Sequence, residues 1–429
     1  MKGEHASLDL PSVTEKANLT HQKLQSPNTA GYVGSILNIA LSLSGCNHFP
    51  TVYGAYTGIA ETHTIDISDD YEELCERSWF TSNIGKTFDL KMNEPSTEHI
   101  TYTRTARLPL NIGDEIELDG IQELDCIPSD TITPADLSKV FEEDTDDEDE
   151  SSSNISTEYI FQIESVGTCE SFEDGDDEPF AWATFKNVPV QMTIMEKLDG
   201  TLYDLFTQHP DSEKQFAWLC QVVFALAFAQ RTFSFTHNDL HGNNIMYIPT
   251  SEEFLYYSHG AESYAVPTYG YLLKIIDFDR GIGSIKLQGM KEARTFMSDQ
   301  FHQYEEAGGQ YNIDPFYNKN HPVIKPNPSF DLVRLATSIF WDLFPNGPKF
   351  EEYFNNPVFK LFIKWLTLPD GSSVLFHKDN PRVDRYYGFN LYKAIARYCK
   401  DVVPRKEISE FKIFLTELPI GVNPLIIDI

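Results

Sequence analysis

Three polar residues at fixed spacing constrain this chain more than any other feature. Asp239 and Asn244 lie five residues apart in the string THNDLHGNN, which follows the most regular helical pattern of the chain. Thirty-three residues after Asn244, an apolar strand ends at Asp277. Phosphoryl transfer to a hydroxyl needs a carboxylate that orients the hydroxyl and oxygen ligands that hold Mg²⁺ on the phosphates. Asp239 suits the first role, and Asn244 and Asp277 suit the second.

Each of these residues alone has a simpler explanation, because an aspartate in a loop or at a strand end is usually a cap or a turn former. The combination is more specific. Four segments together resemble the catalytic loop, metal-binding strand, activation segment and central helix of protein kinases. In that order they are THNDLHGNNIMY, VPTYGYLLKIIDFDRG, EAGGQYN and IKPNPSFDLVRLA. The resemblance is strongest to the divergent kinase-like proteins of giant nucleocytoplasmic large DNA viruses. It covers residues 188–345 well, 31–60 moderately and the rest poorly.

The resemblance implies an α+β, bilobal protein-kinase-like fold that binds ATP and Mg²⁺ between its lobes. It implies phosphorylation of serine or threonine in protein substrates, and a place in the host cytoplasm or the virion. Asp239 matches the catalytic aspartate of the family, and Asn244 and Asp277 match the two metal ligands. His241 stands where many kinases have a lysine near the γ-phosphate, and it is the weaker partner because histidine is mostly neutral at pH 7.

Two further residues match supporting positions of the family. His237 matches a histidine that packs and forms hydrogen bonds rather than reacting. Asp331 matches a buried aspartate that braces the catalytic loop through backbone donors. Since Asp331 also lies at a predicted helix start, a simple N-terminal cap remains an equal alternative.

Residues 195–200, MEKLDG, resemble the hinge between the lobes. The resemblance implies that backbone groups of Glu196 and Leu198 bind adenine and that Met195 lines the back of the pocket. Lys23, or with less support Lys16, falls near the position of the lysine that holds the phosphates.

The chain departs from the family pattern at four places. Gly3 is the only glycine before Gly31, so a glycine-rich phosphate loop is missing. The predicted helix has Asn38 where the glutamate of the lysine–glutamate pair belongs. Asp279 replaces a glycine whose role is to permit positive φ. Asn238 replaces the arginine that pairs with a phosphorylated activation loop in many kinases, so we expect no requirement for such phosphorylation.

The pattern of the chain predicts four regions. They are a partial N-lobe at 1–60 with a helix at 31–44 and a strand at 48–57, an insertion at 61–187, the last N-lobe strand and hinge at 188–198, and a mainly helical C-lobe at 199–429. The insertion contains an acidic segment, residues 142–178, that we expect to be solvated and disordered because the stretch EEDTDDEDESSSN at its start cannot bury apolar area. The alternative is a docking segment for a basic partner.

Composition restricts the partners and the compartment. The formal net charge is -32, which repels phosphate backbones and anionic lipids, so we expect no nucleic-acid or membrane binding. The six cysteines form no CxxC pair, which suits reduced thiols. No signal sequence and no apolar run of about 18 residues is evident. These features predict a soluble, intracellular protein.

Two other classes of function remain open. A pseudokinase scaffold keeps the fold without transfer, and the missing glycine loop and unassigned ion pair favour it. A small-molecule kinase of the aminoglycoside or choline type also uses HxDxxxxN, with an acidic residue after Asp-Phe. Transfer to choline or an aminoglycoside but not to proteins would favour the latter.

Overall fold

A computed structural model of the chain describes residues 2–6, 29–68, 71–92, 181–286, 291–302, 305, 307–311 and 326–427. Within these residues, α-helices are combined with several small β-sheets, so the predicted α+β class is confirmed. The acidic segment 142–178 and the two candidate lysines, Lys16 and Lys23, lie outside the described residues.

The first part of the chain forms a four-stranded antiparallel sheet of order β1-β2-β4-β3, with one helix on a face. In chain order the elements are β1 (Lys2–Ala6), α1 (Ala30–Ser42), β2 (Val52–Asp66), α2 (Tyr71–Glu76), α3 (Ser78–Asn83), β3 (Phe88–Met92) and β4 (Ala181–Met195). The strands β2 and β4 pair from Val52–Met195 to Asp66–Trp182. Helix α1 packs on the sheet through the Ser35 hydroxyl, which lies 2.7 Å from the Thr193 hydroxyl of β4.

The two central strands are longer than the sequence predicts. A strand is expected at 48–57 and another at 188–195, but β2 continues to Asp66 and β4 begins at Ala181. The predicted boundaries of the insertion, at 61 and 187, therefore fall inside paired strands. The added halves share a second small core with α3 and β3, formed by Ile67, Phe80, Phe88, Ala181, Ala183 and Phe185. The sequence of residues 61–66, ETHTID, does not indicate that β2 continues, because polar side chains occupy the exposed positions of the strand.

The rest of the chain is mainly helical. In chain order its elements are β5 (Gly200–Thr201), α4 (Leu202–Gln208), α5 (Ser212–Phe233), β6 (Ile245–Pro249), β7 (Phe254–His259), β8 (Glu262–Pro267), β9 (Tyr271–Ile275), β10 (Gly283–Ile285), β11 (Arg294–Phe296), α6 (Phe330–Leu343), α7 (Pro357–Leu366), α8 (Phe389–Tyr398), α9 (Pro404–Glu407) and β12 (Leu425–Ile426). Single 3₁₀ turns cover Gly242–Asn244, Asp299–Phe301, Glu351–Asn355 and Ile408–Phe414. The tyrosine-rich sequence of residues 249–270 predicts a hairpin, and the antiparallel pairing of β7 with β8 confirms it.

Helix α5 forms the centre of the large core, because its apolar residues surround the helix and most of them are buried. Among the described residues it is also the one helix long and apolar enough to cross a membrane, although 72% of that stretch is buried inside the protein. Such burial is that of a core helix and is consistent with a soluble protein.

The spacing of Ser212 and Gln215 in the sequence predicts a capping box at the start of α5, and this prediction is wrong. The N-cap is Asp211, whose carboxylate accepts the Glu213 N–H at 2.9 Å. Because Asp211, one residue before Ser212, accepts this free N–H group of the first turn, Asp211 is the cap and Ser212 is the first residue of the helix. The Gln215 side chain instead donates to the carbonyl oxygen of Phe206 at 3.3 Å.

Asn327 connects the segment before α6 to the end of α8. Its side chain is buried, and Nδ2 lies within hydrogen-bond distance of the carbonyl oxygens of Ile395, Ala396 and Cys399. Its Oδ1 accepts the Ser329 N–H at 3.0 Å. The last carbonyl groups of a helix have no hydrogen-bond partners within the helix. The buried side chain of Asn327 supplies such a partner at the end of α8.

We expect Asn327→Ala to lower the free energy of unfolding by about 2–4 kcal/mol, because it leaves several buried backbone groups without partners. Urea denaturation of the full chain measures this change. The control is Asn346→Ala, which removes one exposed hydrogen bond to Tyr353 and should change the unfolding free energy by less than about 0.5 kcal/mol. Equal losses in the two variants would contradict the proposed role of Asn327.

Candidate active site

The loop that carries Asp239 is held by a fully buried carboxylate from α6. Asp331 Oδ2 accepts the His237 N–H at 2.9 Å, and Oδ1 accepts the Asn238 N–H at 2.9 Å. The N-cap of α6 is Ser329, so the geometry of Asp331 is that of a brace rather than of a simple cap. Burial raises the pKa of Asp331, while His237 and the two amide hydrogen bonds oppose that rise.

His237 connects the loop to the end of β9. Its Nε2 lies 2.8 Å from the Ile276 carbonyl oxygen, and its Nδ1 lies 3.4 Å from the backbone nitrogen of Asp239. Because a carbonyl only accepts, Nε2 carries the proton and Nδ1 accepts the Asp239 N–H. The ring thus holds the backbone of Asp239 next to the residue that precedes Asp277, in the packing role that the resemblance implies.

Asn244 also lies beside the end of β9. Its Nδ2 donates to the Asp239 carbonyl oxygen at 3.0 Å, and its own carbonyl oxygen accepts the Ile276 N–H at 2.9 Å. Antiparallel pairing of β6 with β9 continues from this contact. The loop and the strand end that carry Asp239, Asn244 and Asp277 are therefore joined directly, as their spacing predicts.

The oxygen atoms left at this junction suit a hard cation. Within the described residues, the Asn244 Oδ1 and the exposed Asp277 carboxylate have no hydrogen-bond partner. Carboxylate and amide oxygens are ligands that Mg²⁺ accepts, and the ion usually takes one or two of them together with phosphate and water oxygens. The described residues contain no group of three His, Cys, Asp or Glu side chains placed to hold a metal alone. The two oxygen donors, Asn244 Oδ1 and the Asp277 carboxylate, are of the type and number that Mg²⁺ takes from a protein.

The backbone at the site has an uncommon conformation in two places. Asp277 has φ 63° and Asn238 has φ 66°, in the left-handed region that few non-glycine residues adopt. Asp279, by contrast, does not have positive φ, so the family glycine is not needed at that position. Helix α1 approaches it closely, because a Cβ at Gly34 would overlap the Asp279 carboxylate.

Asn238 forms a neutral connection where many kinases have a charged one. Its Nδ2 donates to the carbonyl oxygens of Thr236, at 3.2 Å, and Arg280, at 2.9 Å. Its Oδ1 accepts the Tyr311 hydroxyl at 2.9 Å. The buried amide therefore joins the loop to the segment after Asp277 and to residues 307–311 without any phosphate.

Asp239 is stabilised as an anion by groups from three other parts of the chain. Its Oδ1 accepts the Tyr392 hydroxyl at 2.5 Å and lies 3.8 Å from Arg334 Nε, while Oδ2 lies 3.9 Å from Arg280 Nε. The side chain is 23% exposed. Burial raises the pKa of Asp239, but Arg280, Arg334, His241 and the Tyr392 hydroxyl outweigh it and lower the pKa to about 2. The carboxylate is therefore ionised throughout the neutral range.

Sequence reasoning missed Arg280, Arg334 and Tyr392. A signal existed for the arginines, because Arg280 follows the Asp277 motif and Arg334 lies one helical turn after Asp331. Tyr392 lies 153 residues from Asp239, and no pattern around it indicates the contact.

The Glu196 side chain has a structural role that the hinge pattern does not indicate. Its Oε1 accepts the Thr51 N–H and the Lys274 ammonium, each at 2.6 Å. Lys274, on β9, is buried and also donates to the Phe49 carbonyl oxygen at 3.3 Å. Partial burial raises the pKa of Glu196, but Lys274 and Thr51 outweigh it and the pKa is lowered. This ion pair attaches the segment after β4 to β9.

The backbone of the same segment has groups available for a ligand. Glu196 donates its N–H to the Thr51 carbonyl oxygen, and Met195 pairs with Val52 at the end of the sheet. Within the described residues, the Glu196 carbonyl oxygen and the Leu198 N–H take part in no hydrogen bond. These two groups are the ones that the hinge resemblance assigns to adenine.

The lysine–glutamate pair of the resemblance can be followed only at its glutamate position, because both candidate lysines lie outside the described residues. Asn38, which stands at the glutamate position, donates its Nδ2 to the Gly34 carbonyl oxygen of its own helix at 2.9 Å. Lys23 lies outside the described residues. His241 is half-buried beside Asp239 and contributes to the lowered pKa of that carboxyl.

Comparison of the chain with protein-family models and with curated proteins finds no match. The interpretation of the site therefore depends on its geometry and on the resemblance of its motifs.

We expect Asp331→Asn to lower the free energy of unfolding by about 1–3 kcal/mol, because an amide has only one oxygen to accept two buried N–H groups. Hydrogen exchange should show lost protection at the amides of His237 and Asn238. Asp342→Asn, at the exposed end of the same helix, is the control and should leave both amides protected. Unchanged protection in Asp331→Asn would contradict the bracing role.

Proposed function

We propose that this protein is a Mg²⁺- and ATP-dependent phosphotransferase with a bilobal protein-kinase-like fold, acting on serine and threonine hydroxyls of proteins. The observation that carries the proposal is the joining of the 237–244 loop to the end of β9, which brings Asp239, Asn244 and Asp277 to one place. The three residues match two tasks of phosphoryl transfer, because one carboxylate can orient the acceptor hydroxyl and the other two side chains can bind the metal.

In this proposal Asn244 and Asp277 bind Mg²⁺, which neutralises charge on the phosphates when bound. Asp239 accepts a hydrogen bond from the acceptor hydroxyl and orients it. A pKa of about 2 makes Asp239 a weak base in the ground state, so its main contribution is position and negative charge, and the proton moves late in the transfer. His241 lies on the same loop and is proposed to approach the γ-phosphate.

The nucleotide is proposed to lie at the end of the first sheet, beside the segment that follows β4. The Glu196 carbonyl oxygen and the Leu198 N–H would bind the edge of the adenine ring. Met195, the last residue of β4, would line the back of that pocket, and Lys23 is proposed to reach the phosphates.

A pseudokinase scaffold is the second candidate, and one observation favours it. The Asp239 carboxylate already has a hydrogen bond and two cations from its own chain, so it is stable without a substrate. A small-molecule kinase differs from the first proposal only in its acceptor, so the same assay with different acceptors separates them.

We expect Asp239→Asn to lower γ-phosphate transfer from Mg²⁺-ATP by at least about a hundredfold, because the amide keeps the shape but loses the charge and the acceptor oxygen. Transfer to casein, choline and the protein itself is measured with radiolabelled ATP. Asp89→Asn is the control, since it removes a carboxylate from an exposed ion pair with Lys186, and it should retain the wild-type rate. A folded wild-type protein without transfer to any acceptor would favour the scaffold.

We also expect dephosphorylated protein to transfer phosphate as fast as untreated protein, because the Asn238 connection contains no phosphate. Transfer rates before and after phosphatase treatment test this. Loss of transfer after treatment, traced to residues 280–327, would contradict it.

Tyr311→Phe removes the hydroxyl that donates to Asn238 and should lower the free energy of unfolding by about 1 kcal/mol. Urea denaturation measures this change.

A further inference from the structure

Tyr392 makes the shortest contact to the carboxylate on which the proposed function depends. It lies on α8, in a part of the chain that none of the motifs covers. Its hydroxyl donates to Asp239 Oδ1 at 2.5 Å. A hydroxyl donor on a carboxylate at this distance is a strong, charge-assisted hydrogen bond.

The surroundings of Tyr392 fix the direction of that hydroxyl. The guanidinium carbons of Arg334 and Arg280 lie 4.8 Å and 5.6 Å from the centre of its ring. The rings of Phe389 and Phe330 lie 5.3 Å and 5.9 Å from it, centre to centre. Cations and aromatic rings both stabilise this position. These contacts hold the ring of Tyr392 against Asp239. Rotation of the ring about its own long axis does not move the hydroxyl oxygen away from the carboxylate.

The two oxygen atoms of Asp239 consequently have different environments. Oδ1 accepts the Tyr392 hydroxyl and lies near Arg334. The cation near Oδ2 is Arg280, at 3.9 Å, which is beyond hydrogen-bond distance. An acceptor hydroxyl that approaches Asp239 therefore meets Oδ2.

We propose that Tyr392, supported by Arg334, is a positioning residue that holds Oδ1 so that Asp239 presents Oδ2 to the acceptor hydroxyl. This inference depends on the proposed function. In the transfer, the acceptor oxygen bonds to the γ-phosphorus while the bond from that phosphorus to ADP breaks, and the acceptor proton passes to Oδ2 and then to water.

Two other roles for Tyr392 are disfavoured by the same contacts. If its hydroxyl were the phosphate acceptor, the product would place a phosphate dianion against the ionised Asp239, and like charges at that distance repel. If it were a removable plug, activation would have to separate the ring from two cations and two aromatic neighbours at once. Both roles give distinct results in the experiment below.

The test is steady-state transfer by the full chain with Tyr392→Phe, which keeps the ring and removes the hydroxyl. We expect kcat to fall by about tenfold to a hundredfold, while the KM for ATP changes by less than about twofold, because orientation of the acceptor is lost and nucleotide binding is not. Arg334→Lys should retain more of the rate than Arg334→Met. The matched control is Tyr386→Phe, since Tyr386 also lies under an arginine, Arg385, but not beside Asp239.

Three results would overturn the inference. A rate that rises in Tyr392→Phe would show that the hydroxyl blocks the acceptor. Phosphate found on Tyr392 of the wild-type protein by mass spectrometry would show that it is the acceptor. An equal fall of kcat in Tyr386→Phe would show a general effect of losing a tyrosine hydroxyl.

A stability measurement separates this inference from the proposed function. Urea denaturation of Tyr392→Phe, Asp239→Ala and the double variant forms a double-mutant cycle, and we expect the two effects to be non-additive because each single variant removes one partner of the same hydrogen bond. Additive effects in an active protein would overturn the positioning role alone. Wild-type protein that transfers phosphate to no acceptor would overturn the proposed function and the role with it, whatever the cycle shows.

Discussion

The hydrogen bonds from the amides of His237 and Asn238 to Asp331 are the interaction on which the rest of the site depends. A buried carboxylate without partners is strongly unfavourable, and backbone amides of an irregular loop are also unfavourable when they are buried and unpaired. The Asp331 carboxylate oxygens accept the N–H groups of His237 and Asn238, each at 2.9 Å, so that both kinds of group have partners. With these amides fixed, Asn238 is held with positive φ, and the next residue, Asp239, turns towards the arginines and away from the core.

Burial raises the pKa of both aspartates of this arrangement, but their neighbours make the net shifts opposite, and the difference suits the role proposed for each. Asp331 has amides and a histidine near it, and burial raises its pKa. Asp239 has two guanidinium groups near it, which outweigh burial and lower its pKa to about 2. The first carboxylate is a structural acceptor within the core. The second remains an anion over the whole neutral range, which an orienting group for a hydroxyl requires.

The features that the sequence indicated, the α+β class and the junction of the 237–244 loop with the end of β9, are those set by nearby residues. A loop between a helix and a strand, followed by an apolar strand that ends in Asp277, brings Asp239, Asn244 and Asp277 together through short connections. The remaining features depend on distant partners. The sequence left the brace and the cap open for Asp331 because its partner amides lie 94 and 93 residues away. It ended the central strands too early because their outer halves, such as Thr64 and Thr184, pair across 120 residues.

The positive charge at the site shows how a strongly acidic chain can keep a place for an anion. The formal net charge is -32, yet Arg280 and Arg334 both lie within 4 Å of one aspartate. In the family that the motifs resemble, a lysine of the catalytic loop supplies a permanent cation, and His241 stands there instead. An arginine does not lose its charge at any physiological pH. Arg280 and Arg334 thus keep Asp239 ionised from outside the loop, where position 241 carries a histidine.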